Sequence, residues 1–311
     1  MQTVSVIIAA YNAEKTIAAA VTSALRDDAV SEVFVVDDAS TDRTIEILRS
    51  MDTDSGRLKI IGLSSNAGPS NARNVALSEA TGDWIAVLDA DDYFLPGRLT
   101  ALLSEAEDAD LLADDLILEG ISAKGATSER LIGIGPNDRL AISLEDFVRA
   151  NLPSKNQNRR ELGYLKPLMR TDFLKTHNLA YDVAVRLGED YLLYTKALVY
   201  GAKFHLVEAK GYVYVGTPDS LSRKHGEAEL SALRDADMDL LNQLPLNQSQ
   251  AEVIKRHFNH IDAKLHWLIF IRNLKSKNIM QIHKCFLRSR YVSIFVLKSV
   301  FLEGYKRIFR Q

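Results

Sequence analysis

The first hundred residues alternate between short apolar runs and stretches with helical periodicity. The runs at residues 3–9, 32–36, 58–61 and 84–88 are rich in Val and Ile and nearly continuous, as in strands that are buried on both faces. Helical patterns fill the intervals, the third starting at Pro69, because proline favours the first position of a helix. The alternation predicts an α/β fold with a mainly parallel sheet, flanking helices and right-handed connections.

Ligands of such sheets bind outside the carboxyl ends of the strands. In this chain those ends are the segments at residues 9–12, 37–40, 63–68 and 89–92, and three of the four are rich in polar or acidic groups. Because parallel strands end at the same edge of a sheet, we expect the four segments to share one rim and to form a binding site there.

Three carboxylates lie within four residues at the end of the fourth predicted strand: Asp89, Asp91 and Asp92. Carboxylates this close repel one another unless a cation neutralises them. Oxygen ligands suit Mg²⁺ or Mn²⁺, which commonly take one or two protein carboxylates together with substrate phosphates. The segment therefore predicts a divalent-cation site, and the alternative is a solvated acidic turn in which Asp92 caps the next helix.

Two other strand ends carry groups that could bind a ligand. Asp37 and Asp38 follow the second strand, where a carboxylate can accept hydrogen bonds from a ribose or a base N–H. Arg73 falls about one turn into the third helix, where a guanidinium could bind an aspartate, a base carbonyl or a phosphate. A structural ion pair is the alternative for Arg73.

The composition is that of an ordinary globular chain, with 311 residues, 47% of them hydrophobic and 25% charged, and it excludes a disordered, collagen-like or disulfide-stapled protein. Cys285 is the single cysteine, which rules out an intrachain disulfide and fits a reducing compartment. The sequence has neither a basic leader nor an apolar run of 18 residues. We therefore expect no signal peptide, no transmembrane helix and a cytoplasmic location.

Charge is distributed unevenly along the chain. Residues 251–311 carry 13 Lys and Arg against 3 Asp and Glu, whereas residues 1–250 have a net charge of −13. In the basic stretch, five apolar side chains fall near one helical face: Ile294, Leu297, Phe301, Tyr305 and Ile308. A basic amphipathic helix with aromatic residues is typical of contact with an anionic membrane surface. The alternatives are a helical subdomain packed on the rest of the chain and a homodimer interface. Nucleic acid is disfavoured as a partner, since no binding motif is present and the remaining chain is acidic.

Four segments occur in the order and spacing of one known family: 4–12 (VSVIIAAYN), 36–42 (VDDASTD), 66–74 (NAGPSNARN) and 82–92 (GDWIAVLDADD). Each is weak alone, but four in order are specific. Over residues 4–222 the chain resembles the family 2 glycosyltransferases, inverting enzymes with the nucleotide-sugar-binding GT-A fold. The finer resemblance is to bacterial exopolysaccharide biosynthesis enzymes. The resemblance implies a central sheet flanked by helices, to which the C-terminal helical region is an appendage.

The resemblance implies roles for the strand ends. Ala9, Tyr11 and Asp38 would contact the base or ribose of the donor nucleotide, usually uridine. Arg73 would lie near the uracil or diphosphate. Asp89 and Asp91 would form the D-x-D pair, with Asp89 at the ribose and Asp91 at the Mg²⁺ or Mn²⁺ ion.

The Glu189–Asp190 pair resembles the Glu-Asp motif that begins a helix in this family, and the resemblance makes Asp190 the general base. Two ordinary first-turn acids, which the helix dipole would favour, are the alternative. Glu189, Asp92 and Lys166 are expected near the acceptor or the donor sugar. A later segment resembles the one that closes over the diphosphate, and Ser222, Arg223 and His225 could contact the phosphates or, for His225, the metal.

These observations predict a non-processive, metal-dependent hexosyltransferase. It would move a sugar from a nucleotide sugar, expected to be UDP-linked, to a polyprenyl-diphosphate-linked glycan acceptor. The catalytic domain is predicted at residues 1–225, with a nucleotide-binding half at about 1–110 and an acceptor half at about 111–225, and the basic helical region at 226–311. Two alternatives remain. One is a sugar nucleotidyltransferase, which would require a glycine-rich, arginine-containing loop after the first strand, where this chain has Ala-Ala-Tyr-Asn at residues 9–12. The other is a non-catalytic membrane-associated assembly factor.

Overall fold

The computed structural model describes residues 2–51, 56–122, 125–153, 161–216 and 226–309. By its internal contacts the chain divides into two compact units, Met1–Ser220 and Leu221–Gln311. The predicted boundary between residues 225 and 226 lies at the edge of a segment outside the described residues, so it stays a prediction.

The first unit begins with the strand–helix alternation that the sequence predicts. Its first elements are β1 (Val4–Ala10), α1 (Ile17–Leu25), β2 (Val30–Asp37), α2 (Thr44–Ser50), β3 (Leu58–Gly62), α3 (Pro69–Glu79), β4 (Trp84–Val87), β5 (Tyr93–Phe94) and α4 (Arg98–Ser104). The four strands predicted from apolar runs are β1 to β4, and Pro69 is the first residue of α3. These predictions are confirmed.

Shorter elements follow in the second half of the unit. They are β6 (Leu111–Asp114), β7 (Ile117–Ser122), β8 (Gly125–Arg130), β9 (Arg139–Ile142), α5 (Leu144–Ala150), a 3₁₀ turn (Leu162–Tyr164), β10 (Leu168–Arg170), α6 (Thr171–Thr176), α7 (Glu189–Val199), β11 (Phe204–Val207) and β12 (Tyr212–Val215).

Within the described residues, eight strands form the central sheet, in the order β3-β2-β1-β4-β10-β6-β11-β9. The pairs among β1 to β4 are parallel, as is β6 with β11. β10 is antiparallel to both of its neighbours, and β9 is antiparallel to β11. The sheet is therefore mainly parallel, as predicted, and β10 interrupts it at the centre.

A second, four-stranded sheet has the order β5-β12-β7-β8 in the described part of the chain. A buried ion pair lies between the two sheets: the Arg98 and Asp114 side chains have no exposed surface and their Nη2 and Oδ1 atoms are 2.6 Å apart. Asp114 also accepts a hydrogen bond from the Gly211 N–H just before β12. Because an unpaired buried charge is costly, the two side chains stay together. The hydrogen bond from Gly211 to Asp114 then holds the start of β12 in place.

Near the amino-terminal end of β1, Glu32 of β2 forms a second buried ionic contact. Its carboxylate accepts hydrogen bonds from the Ser5 hydroxyl, the Thr81 N–H and the Lys59 ammonium. Burial alone would raise the pKa of Glu32, but the Lys59 charge and these hydrogen bonds outweigh it and lower the pKa to about 2. The carboxylate therefore ties together β1, β2, β3 and the turn before β4.

We expect Glu32→Gln to lower the free energy of unfolding by about 2 kcal/mol at neutral pH, because charge-assisted hydrogen bonds to a buried group are lost. A carboxyl with a lowered pKa in the folded state contributes its stability above its ordinary value of 4.5, and loses it as the pH falls towards 2. Urea unfolding at pH 7 and pH 3 should therefore show the variant and the wild type converging in acid. The exposed Glu46→Gln is the control, and an equal deficit at both pH values would contradict the assignment.

The second unit is helical in its described residues, as the sequence pattern predicts. Its helices are α8 (Glu227–Gln243), α9 (Gln248–Lys275), α10 (Ile279–Leu287) and α11 (Arg290–Phe309). Its apolar core includes Ala263 and Phe270 of α9, Cys285 of α10 and Val292 and Val296 of α11. In the part of the chain that the structure describes, no helix combines the length and apolarity needed to cross a membrane.

Candidate functional site

The acidic segment after β4 is a tight turn that the second sheet supports. The Asp92 N–H donates to the Asp89 carbonyl at 3.1 Å. The Tyr212 hydroxyl of β12 donates to Asp92 Oδ2 at 2.8 Å and accepts a hydrogen bond from the Asp89 N–H at 3.2 Å. The Val215 N–H donates to Asp92 Oδ1. The Asp92 carboxylate is therefore occupied with holding β12 against this turn.

Arg73 joins two of the predicted site carboxylates. It is almost fully buried on α3, and it donates from Nη1 to Glu189 Oε1 and from Nη2 to Asp89 Oδ1, both at 2.8 Å. Its guanidinium also lies 5.2 Å from the ring centre of Tyr181. The Nε atom is buried and has no hydrogen-bond partner among the described residues, so one donor of this side chain is unsatisfied.

Lys166 joins Asp89 to the predicted general base. Its Nζ atom lies 2.6 Å from Asp190 Oδ2 and 2.9 Å from Asp89 Oδ2. The Lys166 carbonyl accepts a hydrogen bond from Arg98 at 2.8 Å, so the backbone of this lysine is held by the ion pair between the sheets. The other oxygen of Asp190, Oδ1, accepts a hydrogen bond from the Tyr181 hydroxyl at 3.0 Å.

Five buried or half-buried charged side chains are thus linked by successive ionic contacts. We call this group the rim network: Glu189, Arg73, Asp89, Lys166 and Asp190. Its members come from α3, the end of β4, the segment before β10 and the first turn of α7. The rim network brings together residues that are up to 117 positions apart in the sequence.

Glycine allows the backbone to place both acids of α7 at the network. Gly188 precedes α7 with φ of +82°, a left-handed conformation that side chains other than glycine rarely adopt. The chain therefore turns sharply, and Glu189 and Asp190 occupy the first turn of the helix, where the helix dipole stabilises their negative charge.

The electrostatic environment keeps the centre of the network ionised. Burial opposes the charge on Asp89, but Lys166 and then Arg73 outweigh it and hold the pKa of Asp89 well below its ordinary range. Burial also opposes the charges on the two cations, yet Asp190 and Asp89 raise the pKa of both Lys166 and Arg73 above their ordinary values. Two cations and the carboxylates between them therefore stabilise each other.

The remaining acids at this edge are poorly compensated. Burial and the neighbouring Asp89 raise the pKa of Asp92 to about 8. Partial desolvation, and then Asp89, raise the pKa of Asp91. Asp91 is exposed and forms no ion pair with any residue that the structure describes. It is the carboxylate of the D-x-D pair that is open to a cation.

The end of β2 forms a separate part of the rim. Asp38 is buried and accepts hydrogen bonds from the Ala67 and Gly68 N–H groups, both at 2.8 Å, and Gly68 has φ of +90°. Asp37 Oδ1 is buried without a hydrogen-bond partner among the described residues. Asp38 therefore shapes the turn before α3, and Asp37 leaves an acceptor atom unsatisfied.

The other predicted nucleotide contacts lie at the end of β1. Tyr11 is half exposed and Ala9 is half-buried, and within the described residues neither is joined to the rim network by a hydrogen bond or an ion pair. The backbone bends sharply here: Asn12 and Ala39, at the ends of β1 and β2, both have positive φ values, a conformation that costs energy outside glycine and is concentrated at functional sites. Ser222, Arg223 and His225 lie outside the described residues, so their predicted roles stay predictions.

Sequence reasoning missed two tyrosines at the site. Tyr181 donates to Asp190, and Tyr212 connects Asp89 with Asp92. Burial, together with Asp190 for Tyr181 and Asp92 for Tyr212, raises the pKa of each phenol well above its usual range, so both remain donors. Neither residue stands in a motif or follows the carboxyl end of a predicted strand, and a tyrosine in a short apolar stretch carried no sequence signal for this role.

The chain is similar to proteins with assigned functions. It is 40% identical over 258 residues to "Succinoglycan biosynthesis protein ExoU" of Rhizobium meliloti (strain 1021), covering 83% of this chain and 75% of that protein. Over 103 residues it is 43% identical to "UDP-Glc:alpha-D-GlcNAc-diphosphoundecaprenol beta-1,3-glucosyltransferase WfaP" of Escherichia coli, which covers 32% of this chain and 39% of that protein.

The fold is similar to a crystal structure of residues 1–349 of TarS from S. aureus in complex with UDP-GlcNAc. The TM-score is 0.63 at 21% sequence identity, and the match covers 90% of this chain and 89% of that one. Against the longer TarS chain the match covers 43% of that chain. The likeness shows the GT-A fold. The family model described as "Glycosyl transferase family 2" matches residues 5–177, more than half of the chain, which therefore belongs to glycosyltransferase family 2.

Proposed function

We propose that the chain transfers one sugar at a time, with inversion, from a UDP-linked sugar to a polyprenyl-diphosphate-linked glycan. The observation that carries the proposal is the rim network, which places a buried carboxylate, Asp190, beside the D-x-D turn. Family membership supports sugar transfer. The relative WfaP supports the choice of donor and acceptor, since its name describes a glucosyltransferase with a UDP-linked donor and a diphosphoundecaprenol acceptor.

The nucleotide would bind at the ends of β1 and β2 and beside α3. The unsatisfied Asp37 Oδ1 and Arg73 Nε atoms are an acceptor and a donor left for a polar ligand, and buried polar atoms of this kind are normally paired. The half-exposed Tyr11 ring offers a surface on which a base can stack. UDP in the TarS complexes is consistent with a uridine donor, and we carry this to the chain as part of the proposal.

Asp190 would remove the proton from the attacking acceptor hydroxyl. Its carboxylate accepts from Tyr181 and Lys166, but each oxygen has two lone pairs, so a further hydrogen bond from a hydroxyl can be accepted. The hydroxyl oxygen forms a bond to the anomeric carbon while the bond to the diphosphate breaks on the opposite face, and the proton passes to Asp190. One such displacement inverts the anomeric centre and needs a single catalytic carboxylate.

The donor set at this edge fits a hard divalent cation that is shared with a diphosphate. Across the described residues, no three His, Cys, Asp or Glu side chains converge as a metal-binding group. Asp91 is exposed and without a cation partner there, whereas both oxygens of Asp89 are taken by Arg73 and Lys166. Mg²⁺ is commonly held by one or two carboxylates plus substrate phosphates. Asp91 would hold the ion, which when bound would offset charge on the departing diphosphate.

Lys166 would act as a positioning residue for the base. It is bonded to Asp190 on one side and to Asp89 on the other, and the Arg98 hydrogen bond fixes its backbone. The ammonium therefore fixes the orientation of the Asp190 carboxylate, and links its position to the carboxylate that the resemblance places at the donor. Glu189 would act in the same indirect way, through Arg73.

The biological setting belongs to the same proposal. ExoU is a succinoglycan biosynthesis protein, so we propose that the chain assembles a cell-surface polysaccharide on a lipid carrier. A polyprenyl-diphosphate acceptor resides in a bilayer, and nucleotide sugars are supplied by the cytoplasm. The chain would then work at the inner surface of the cytoplasmic membrane.

A donor screen tests the proposed function. Purified full-length chain is incubated with UDP-, GDP-, ADP- and dTDP-sugars in Mn²⁺ or Mg²⁺, and slow hydrolysis and thermal shift are measured. We expect one or more UDP-sugars to stabilise the chain and to be hydrolysed with inversion. If no UDP compound binds in calorimetry with Mn²⁺, the donor assignment is wrong. If UDP-sugars bind but are neither hydrolysed nor transferred to any lipid-linked acceptor, a non-catalytic assembly factor is favoured.

We expect Asp91→Ala to weaken UDP binding in Mn²⁺ by at least about tenfold, because the ion loses its protein ligand. Binding in EDTA should be unchanged, since the nucleoside contacts lie elsewhere on the rim. Isothermal titration calorimetry with and without metal measures both values. Glu79→Ala, an exposed acid at the end of α3, is the control. If Asp91→Ala binds UDP in Mn²⁺ as the wild type does, the metal assignment is wrong.

A further inference from the structure

Exposed apolar side chains are concentrated at one end of the chain. Among the described residues, fifteen large hydrophobic side chains are exposed, and nine of them lie between residues 274 and 302. Single exposed hydrophobic residues are normal on a protein surface, but a cluster marks a contact with a partner or a membrane. The exposed apolar side chains of the second unit therefore indicate a surface that binds a partner or a membrane.

The helix α11 has an apolar side in the core and another apolar side in solvent. Val292 and Val296 are fully buried against α9 and α10. Ile294, Leu297 and Phe301 are 44%, 58% and 74% exposed. At 3.6 residues per turn, these three share a face centred about 150° from the buried valines. The packing of the unit thus satisfies one side of the helix and leaves the other, which we call the outer face of α11, uncovered.

Cations flank the outer face. Arg290 and Lys298 are exposed on α11 itself, and between residues 277 and 310 the sequence has eight Lys and Arg and a single acid, Glu303. On α10, which ends two residues before α11 begins, Met280 and Leu287 are 74% and 70% exposed. Large apolar side chains next to unbalanced positive charge match the acyl chains and the anionic headgroups of a lipid surface.

Charge distinguishes a lipid surface from a second copy of the chain. In a symmetric dimer the outer face would meet its own copy, and Arg290 and Lys298 would approach the same cations with almost no acid nearby to neutralise them. An anionic bilayer supplies that neutralisation along with the apolar layer. We propose that the outer face of α11 is a docking surface for anionic phospholipid, into which Ile294, Leu297 and Phe301 insert.

This inference deepens the proposed function, because a lipid-linked acceptor would be met at such a surface. It does not depend on catalysis, so it can be tested without a donor or an acceptor. Flotation measures binding of the full-length chain to vesicles of phosphatidylcholine with phosphatidylglycerol, and to vesicles of phosphatidylcholine alone. We expect strong binding to the mixed vesicles, weak binding to the neutral ones, and weakening of the former by high salt.

Matched variants test which residues carry the binding. Leu297→Ser with Phe301→Ser should lower the partition coefficient for mixed vesicles about 100-fold. Arg290→Gln with Lys298→Gln should lower it about fivefold for each charge removed. The controls within the same unit are Met238→Ser on α8 and Arg256→Gln on α9, an exposed apolar and an exposed cationic residue on other helices; both should bind as the wild type does.

Two results would overturn the proposal. One is a flotation assay in which the wild type binds the mixed vesicles no better than the Leu297→Ser, Phe301→Ser variant does. The other is a wild-type dimer in sedimentation equilibrium that this variant dissociates, which would make the outer face a contact between copies. UDP calorimetry on every variant separates the two proposals: loss of vesicle binding with intact UDP binding concerns the docking surface alone, and absence of UDP binding in the wild type concerns the proposed function alone.

Discussion

Asp190→Asn should abolish sugar transfer and leave the fold and UDP binding intact. The amide keeps the shape of the side chain and can still accept a hydrogen bond from Tyr181 or Lys166, but it cannot take a proton from the acceptor. A positioned general base contributes on the order of 10²–10⁴-fold to a rate, so we expect kcat to fall about 10³-fold. Transfer to the acceptor from the donor that the screen identifies measures the effect.

Calorimetry with UDP and a thermal melt accompany the rate measurement for Asp190→Asn. Asp172→Asn is the matched control, since Asp172 is an acid in the first turn of another helix, α6, and its side chain is 75% exposed. That variant should transfer at the wild-type rate. A loss of less than tenfold in Asp190→Asn, with folding and UDP binding preserved, would contradict the role of this carboxylate as base.

The first half of the fold could be predicted because its strands are apolar and alternate regularly with helices. Each of β1 to β4 contains a short run of mostly apolar residues that the sequence pattern identifies, and their parallel order follows from the helices between them. The second half could not be predicted in the same way. β10 is three residues long, and its antiparallel insertion between β4 and β6 depends on tertiary pairing that its own residues do not encode.

The strand ends of the site followed from topology, but their connections did not. A rule about parallel sheets was enough to place Asp38 and Asp89 at one edge. The contacts of Lys166 and Tyr181 with Asp190 depend on segments with little regular structure of their own, which packing brings to that edge. For Arg73, the sequence alone did not distinguish a site residue from a structural ion pair. The structure shows that its guanidinium contacts two site acids, Asp89 and Glu189.

The basic tail illustrates what periodicity leaves open. Spacing identified the face that contains Ile294, Leu297 and Phe301, but an apolar face can be buried or exposed. Val292 and Val296 form the competing apolar side, and only the packing of α9 and α10 decides which of the two lies inside. The sequence therefore predicted amphipathic helices, and the structure assigned their inner and outer sides.

Lys166→Gln should impair transfer in a way that depends on pH. The Lys166 ammonium lies within hydrogen-bond distance of both Asp190 and Asp89, and together with Arg73 it holds the pKa of Asp89 well below its ordinary range. Without it, Asp190 loses a hydrogen-bond donor that positions its carboxylate, and the pKa of Asp89 rises. We expect kcat/KM at neutral pH to fall about 10- to 100-fold, and the loss to grow as the pH falls, because Asp89 is protonated more readily in the variant than in the wild type.

The pH profile separates a role of Lys166 at the site from support of the fold. If Lys166 only supported the fold, Lys166→Gln would melt earlier and lose activity by the same factor at every pH, and such a uniform loss would contradict a positioning role for this lysine. Lys175→Gln, an exposed lysine on α6, should leave the profile unchanged. Because Lys166 also lowers the pKa of Asp89, the variant should bind UDP somewhat differently in acid, whereas Asp190→Asn should not. One lysine would then influence both the donor side and the acceptor side of the reaction, and measuring both readouts on the same two variants tests that link directly.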